Sequence, residues 1–540
     1  MVDTQRIEKS ALYQEMEEDN RVFWFDMKTK KFLHNIDTFY YSVKLAEDFT
    51  YESQDGKVLA FRRVVDDMNK KVAIKSFSGD TVQFLVHGGI DDYLNILPLH
   101  FGKFYTFCLE SPEEFDIFIA PVVPGSVDGA SVTSEIIVQI RANMLWLLGV
   151  QKAFERSFEW VQAVCNMYDF TILEVKENRA DFCWHTNYLE QPEKFFNPDN
   201  FYAMRVDRYK DAVYHTEKTR SGQYEVDYIS LGRRGGRCFI RIYNKCKEVI
   251  EKNYKPFFLK TWLFHGLINR YDLYVLEEAY IKKSWKYVTI ARLKFYLEHG
   301  SNDVFLSRCK EQIDVFETGG KVTDVMITLA DEVTPALNII YNIEFQLMRK
   351  ATKSYILPVT KKNLDKGPAK RVYDFFDHRK LICDYLTTDI FRLVEKTGDS
   401  NMSRRPDCAF WIALKRTKMI DVASLGKDVA GIQRDYARKL NVERMKQSVI
   451  QKAVTLGMYV KGKNYDSPVS DCMEAVLRLN DNDIHNAKVY KMRKAKQLPR
   501  ELLGTNLSYE DFWRTYDYHI LDGITGEIFD SPPDPWEDEV

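Results

Sequence analysis

Several common signatures are missing from this 540-residue chain. It has no GxxxxGKS or GxxxxGKT loop, which excludes a P-loop ATPase or helicase, and no HExxH, GxSxG or protein-kinase set. None of its ten histidines is spaced two apart around an apolar residue, which excludes the paired-histidine metal site of many nickases. The nine cysteines contain no CxxC, and the closest pair is Cys238 and Cys246. They read as reduced thiols of a cytosolic protein, not as a disulfide frame or a zinc site. No run approaches the ~20 apolar residues that span a bilayer; the richest stretch is Asn143 to Val150. The opening residues hold four Glu and no apolar block, so no secretory signal and no membrane partner are expected. No 20–50-residue repeat is present either.

What is present suffices for a large core: 45% hydrophobic and 14% aromatic residues. At roughly 100–200 residues per domain the length suggests two to four domains. The net charge of −2 conceals an asymmetry. Residues 361–500 hold 30 Lys+Arg and 17 Asp+Glu, a net of +13, whereas 501–540 hold only Arg514 against 11 acids, a net of −10. A basic segment before an acidic end suggests nucleic-acid contact with the tail as a competitor. A solvated helical surface beside a disordered end is the alternative.

The expected class is α+β: a strand-rich, internally duplicated domain followed by a mainly helical C-terminal domain. Residues 1–33 are charged and helix-prone, and read as an appendage. An α+β body over 34–350 opens with IDTFYYSVKL (Ile36 to Leu45), a strand by its alternation and β-branched content. Further strands are expected at VLAFRRVV, TVQFLV, FDIFIAPVV, FTILEV, NRADFCWHTNYL, QYEVDYISLG, RCFIRIYN and LINRYDLYVL. Apolar residues at helical spacing, Ile137 through Val150, predict one long helix from about Ser134 to Asn166. Residues 351–371 carry Pro358 and Pro368 and read as a linker. A basic helical domain over 372–525 and a disordered acidic tail over 526–540 complete the chain.

Chemistry concentrates in YISLGRRGGRCFIRIYNKCKEVIE, Tyr228 to Glu251, which reads as strand, Arg/Gly turn, strand and helix. Period-two alternation puts Cys238, Ile240 and Ile242 on one face and Phe239, Arg241 and Tyr243 on the other, with Lys245 one step beyond. A tyrosine hydroxyl of pKa about 10 is a poor nucleophile at neutral pH. Nearby cations or a metal-polarised phosphate would activate it. Gly232, Gly235 and Gly236 would let backbone N–H groups approach a phosphate. An ordinary hairpin with a rim tyrosine is the competing reading. In NRADFCWHTNYL, Arg179, Asp181, Cys183 and His185 share one face, so the polar groups either pair or hold a cation. Arg270 and Asp272 share a face of LINRYDLYVL, a pattern that also suits a salt-bridged edge.

At these residues the chain resembles the rolling-circle replication initiators of the Rep_trans type and the related relaxases of integrative conjugative elements. Their glycine–serine hairpin and Arg-x-Tyr-x-Lys strand align without gaps on Gly232 through Lys245. Their Arg-x-Asp strand falls on Arg179 and Asp181, their later Arg-x-Glu strand on Asn269, Arg270 and Asp272, and their early aspartate on Asp37. The likeness covers roughly residues 34–300. His185 stands where the family has an acid, Asp272 where it has Glu, and Arg233 and Gly236 where it has serines.

The resemblance implies an origin-nicking strand transferase in the bacterial cytoplasm, encoded by a plasmid, phage or mobile element. Tyr243 would be the nucleophile, leaving a 5′-phosphotyrosine link and a free 3′-OH that primes rolling-circle synthesis. Arg241 and Lys245 would neutralise the phosphate. Arg179 or Arg270 would orient carboxylates, and Arg233, Arg234 and Arg237 would contact DNA. Asp181, His185 and Asp272 would hold a divalent metal, Mg²⁺ or Mn²⁺. Single-stranded and duplex origin DNA, a host helicase and a second copy in a homodimer are the expected partners. A non-catalytic DNA-binding factor of the same fold and a conjugative relaxase are the rivals. Tyrosine recombination lacks its His-x-x-Arg spacing.

Overall fold

The computed structural model describes residues 10–529 apart from 20, 27–29, 79–80, 88–92, 113, 126–132, 190–200, 204–212, 219–223, 233–235, 253–254, 353–359, 396, 400, 421–426, 462–517 and 525–527. The fold is α+β. Fifteen strands are named here in chain order. They are β1 Phe32–Leu45, β2 Thr81–Leu85, β3 Tyr93–Leu97, β4 Phe107–Ser111 and β5 Phe115–Ile119. Next come β6 Ile136–Ile140, β7 Ile172–Thr186, β8 Phe201–Ala203, β9 Val213–Lys218 and β10 Tyr224–Leu231. The last are β11 Cys238–Asn244, β12 Tyr341–Met348, β13 Phe391–Leu393, β14 Tyr518–Asp522 and β15 Ile528–Phe529. Among the described residues no helix is long and apolar enough to cross a membrane.

The chain forms two compact units, each assembled from separate stretches. The first takes Met1–Asn35, Phe182–Phe345 and Cys383–Cys472; the second takes Ile36–Asp181, Gln346–Ile382 and Met473–Val540.

In the second unit the strands are neighbours in the order β15-β14-β2-β3-β4-β5-β6-β1. The β14–β2 pair is parallel and those from β2 to β1 are antiparallel. Register lines up a polar row across this sheet: Gln83 opposite Asn95, Asn95 opposite Glu110, Glu110 opposite Asp116, Asp116 and Tyr40 both opposite Gln139. Glu110 and Asp116 are buried, and Arg141 pairs with both of them. Uncompensated burial of two like charges would be prohibitive, so this guanidinium is a condition of the row.

Three expectations are corrected in this unit. VLAFRRVV is not a strand but lies in a helix, Gly56–Ser78, because Val58, Phe61, Val65, Met68 and Val72 recur at helical spacing and are all buried. Each such burial stabilises by about 1.5–3 kcal/mol. The long helix over 134–166 is instead β6 followed by helices Ala142–Leu148 and Val150–Met167, the two parted at Gly149, whose φ of 78° is costly for other residues. The described end of the supposed linker is a folded turn, Lys361–Ala369. Its Asn363 is buried and donates to Asp374 and Asp377 at 2.8 Å.

In the first unit the order is β12-β11-β10-β9, with β13 and β8 paired apart from it. The described residues of the supposed appendage pack within this unit: Leu12 and Met16 are fully buried, and Trp24 meets Phe295 edge to face at 5.1 Å. FTILEV and NRADFCWHT prove to be one strand, β7, which runs from the second unit into the first. LINRYDLYVL is not a strand. Its Asn269 side chain accepts from the Asp272 amide at 2.7 Å and the Asp272 carboxylate accepts from the Asn269 amide at 2.9 Å, a capping box that opens helix Arg270–Lys282. The basic stretch is not one body: residues 372–382 belong to the second unit and 383–472 to the first, where the helix Lys427–Lys461 lies. Most of 501–540 is outside the described residues, β14 and β15 being the exceptions.

Candidate active site

The tyrosine hairpin forms as its alternation dictates. In β11, Cys238, Ile240 and Ile242 are buried, while Arg241 and Tyr243 are part-exposed on the opposite face. The strand pairs antiparallel with β10, Tyr243 opposite Tyr228 and Arg241 opposite Ser230. Asn244 then stops it: its side chain accepts from the Lys247 amide at 2.9 Å and caps helix Lys245–Glu251. Tyr243 therefore sits at the strand's end and Lys245 at the first turn of the helix, tied by its amide to the Ile340 carbonyl at 2.8 Å.

The group facing Tyr243 comes from β12, YNIEFQLM, where Asn342 and Glu344 lie two residues apart on one face. The Tyr243 hydroxyl donates to Glu344 Oε2 at 3.0 Å. It accepts from Asn342 Nδ2 at 2.9 Å and from Lys245 Nζ at 3.3 Å. Arg241 pairs with the other oxygen of Glu344, and Lys245 with Glu248 at 2.8 Å. Lys245, Asn342 and Glu344 are buried, whereas the Arg241 side chain keeps 33% exposure, so the cluster opens to solvent on the arginine side. Burial, and then Glu248 and Glu344, push the Tyr243 hydroxyl well above its ordinary pKa, against the pull of Lys245 and Arg241. At neutral pH the phenol therefore keeps its proton. The arrangement supplies a hydroxyl, an acceptor for its proton and two cations, a set suited to attack on a phosphate with concerted proton loss and not to a standing phenolate.

The other residues singled out in the sequence have different settings. Asp272, expected on a strand as a metal ligand, is a helix cap: besides Asn269 it binds the Asn338 amide at 3.0 Å and Asn338 Nδ2 at 2.8 Å. Its oxygens accept from Asn269 and Asn338, which gives it a capping role in this structure. His185 is fully buried, its Nδ1 accepting from the Trp262 indole at 3.1 Å. Asp181 lies in the second unit in a two-pronged pair with Arg179, whose guanidinium stands 5.5 Å from the Tyr40 ring. Burial pushes the Tyr40 hydroxyl up to about 12. Asp37, also in the second unit, accepts from the Trp146 indole at 2.6 Å. Arg270 is exposed beside Phe23, and Arg237 is exposed at the start of β11. Arg233 and Arg234 lie outside the described residues.

Glu344 and Asn342 were missed by sequence reasoning. Their signal was the alternating strand YNIEFQLM, but nothing local says that this strand, about a hundred residues beyond Tyr243, is the neighbour of β11.

No family model matches the sequence, and no curated protein matches it. Among solved structures the chain is similar to a rolling circle replication initiator protein from Geobacillus stearothermophilus, at 9% identity and a TM-score of 0.30, over 71% of this chain and 95% of that one. A likeness this distant says nothing about chemistry, which rests on the geometry around Tyr243.

Proposed function

We propose that the chain is a replication-initiating DNA strand transferase in which Tyr243 attacks a phosphodiester of single-stranded origin DNA. The observation that supports it is the Tyr243 hydroxyl held between the Glu344 carboxylate and the Lys245 ammonium, with Arg241 alongside. In this reading Glu344 Oε2 takes the phenolic proton as the oxygen–phosphorus bond forms. Arg241 and Lys245 balance the charge gathering on the phosphate. The 3′-oxygen leaves, and the 5′-phosphate stays on Tyr243. Arg237, with Arg233 and Arg234, supplies the proposed contacts to flanking phosphates.

The resemblance also implies a divalent ion. Asn342 Oδ1 is buried with no hydrogen-bond partner among the described residues, whereas the Glu344 oxygens already accept from Arg241, Tyr243 and Asn342. A hard oxygen donor of this kind fits Mg²⁺ or Mn²⁺, so Asn342 Oδ1 would help to hold it, with Glu344 kept for the proton. Bound there, the ion would supply Lewis-acid polarisation of the scissile phosphate.

The test is a denaturing gel for protein–DNA adducts on single-stranded oligonucleotide with Mg²⁺ or Mn²⁺. Wild type is expected to form the adduct, Tyr243→Phe none while still binding DNA, and Glu344→Gln to be slower by about 100-fold or more. An adduct surviving in Tyr243→Phe would refute the assignment. No adduct in wild type with either ion would favour the non-catalytic DNA-binding reading.

A further inference from the structure

A second constellation of nucleophile type lies elsewhere in the first unit. His34, near the start of β1, is 3% exposed, and its carbonyl accepts from the Ile420 amide at 2.9 Å. Its Nδ1 is 2.9 Å from the Cys183 carbonyl oxygen, and its Nε2 is 3.2 Å from Cys383 Sγ. A carbonyl only accepts, so the neutral ring carries its proton on Nδ1 and turns the Nε2 lone pair toward the thiol. The imidazole also lies flat on the Trp184 indole, centroids 4.0 Å apart and planes 2° from parallel, a position that stabilises a positive ring. Thiol, base and orienting acceptor thus stand in line, the relation that activates a nucleophile.

Of the eight described cysteines, six are buried; Cys383 and Cys408 are part-exposed. Burial pushes the thiols of Cys165, Cys246 and Cys309 up to about 12. Burial likewise raises Cys408, with Asp407 and Glu395 adding to it.

We propose that Cys383 is a peroxide-sensitive modification site activated by His34. The sulfur attacks one oxygen of hydrogen peroxide, forming S–O as O–O breaks. The thiol proton passes to His34 Nε2 and on to the departing hydroxide, which leaves as water. The sulfur is oxidised by two electrons to sulfenic acid and the peroxide is reduced. A free thiol is only a few per cent thiolate at neutral pH, so removing that handicap accelerates the reaction by about tenfold.

The test treats the full-length chain with hydrogen peroxide, traps sulfenic acid with dimedone and follows each cysteine by peptide mass spectrometry. Cys383 should be trapped about tenfold faster than Cys408, the comparator of similar exposure. His34→Phe keeps a ring on Trp184 without the nitrogens, and His34→Gln keeps a donor to the Cys183 carbonyl; both should abolish the advantage. Equal trapping of the two cysteines in wild type, or an advantage persisting in either variant with an unchanged circular dichroism spectrum, overturns the proposal. Should both variants unfold, wild type in urea decides: the ratio should fall to near one, and an unchanged ratio overturns it.

Discussion

Within the first unit, Asp272 and His265 carry opposite pH dependences. Burial pushes the Asp272 carboxyl up from 3.8 to about 6, against the hydrogen bonds from Asn338 and Asn269. The folded chain then holds that proton more tightly than the unfolded chain. Its contribution to stability is full below 3.8 and is lost as pH rises through about 6. His265 is the converse: burial, aided by Lys31, lowers it from 6.5 to about 4. Its contribution is full above 6.5 and is lost as pH falls through about 4. Over roughly pH 4 to 6 the two slopes oppose each other. Urea midpoints across that window should fall with rising pH in His265→Gln and rise in Asp272→Asn; the same slope in both variants would contradict the assignment. At this scale the sequence was a partial guide. That Arg241, Tyr243 and Lys245 lie together was legible because their spacing is a local property of a strand end. Asp272 was not: an acid three residues after Asn269 satisfies a helix cap as readily as a strand stripe, and the chain adopts the cap.

At the scale of elements, the junction of β11 with helix Lys245–Glu251 is the piece on which the site depends. Asn244 ends one and caps the other, and the Lys245 ammonium reaches Tyr243 only because the backbone turns there. Asn244→Ala should lower stability by about 1 kcal/mol, read from urea unfolding. It should also slow adduct formation without changing DNA binding, since neither Arg241 nor the exposed Arg237 depends on the cap. A variant of unchanged stability would mean that the tie from Lys245 to Ile340 holds the junction alone. Element types were read correctly where pattern and burial agree, as in β1, β2, β5, β10 and β11. They were misread where an apolar run fits two periods. VLAFRRVV reads as a strand over eight residues, and only the continuation to Met68 and Val72 reveals the helix. Conversely, Ile136–Ile140 continues a helical spacing but is held in a sheet by its pairing with β5 and β1.

For the whole molecule, the charge asymmetry is real in composition but is not a separate arm. The +13 stretch is shared between the two units, so deleting it would damage both. Point substitutions are the better probe. On helix Lys427–Lys461, Lys439, Lys446 and Lys452 are exposed. If this surface grips duplex DNA, replacing the three by Gln should weaken binding and reduce the slope of log affinity against log salt by up to about three. A slope equal to that of wild type, measured by fluorescence anisotropy, would place the duplex contact elsewhere. The amino-acid sequence by itself determined the α+β class, the Arg-x-Tyr-x-Lys strand and the apolar face beneath it, because alternation and capping act over a few residues. Only the tertiary structure decided which carboxylate meets Tyr243. Pairing across a sheet joins segments as distant as Tyr243 and Glu344, 101 residues apart, and no local pattern ranks one alternating strand above another as a neighbour. The same holds for His34 and Cys383, 349 residues apart, where folding alone set an imidazole against a thiol.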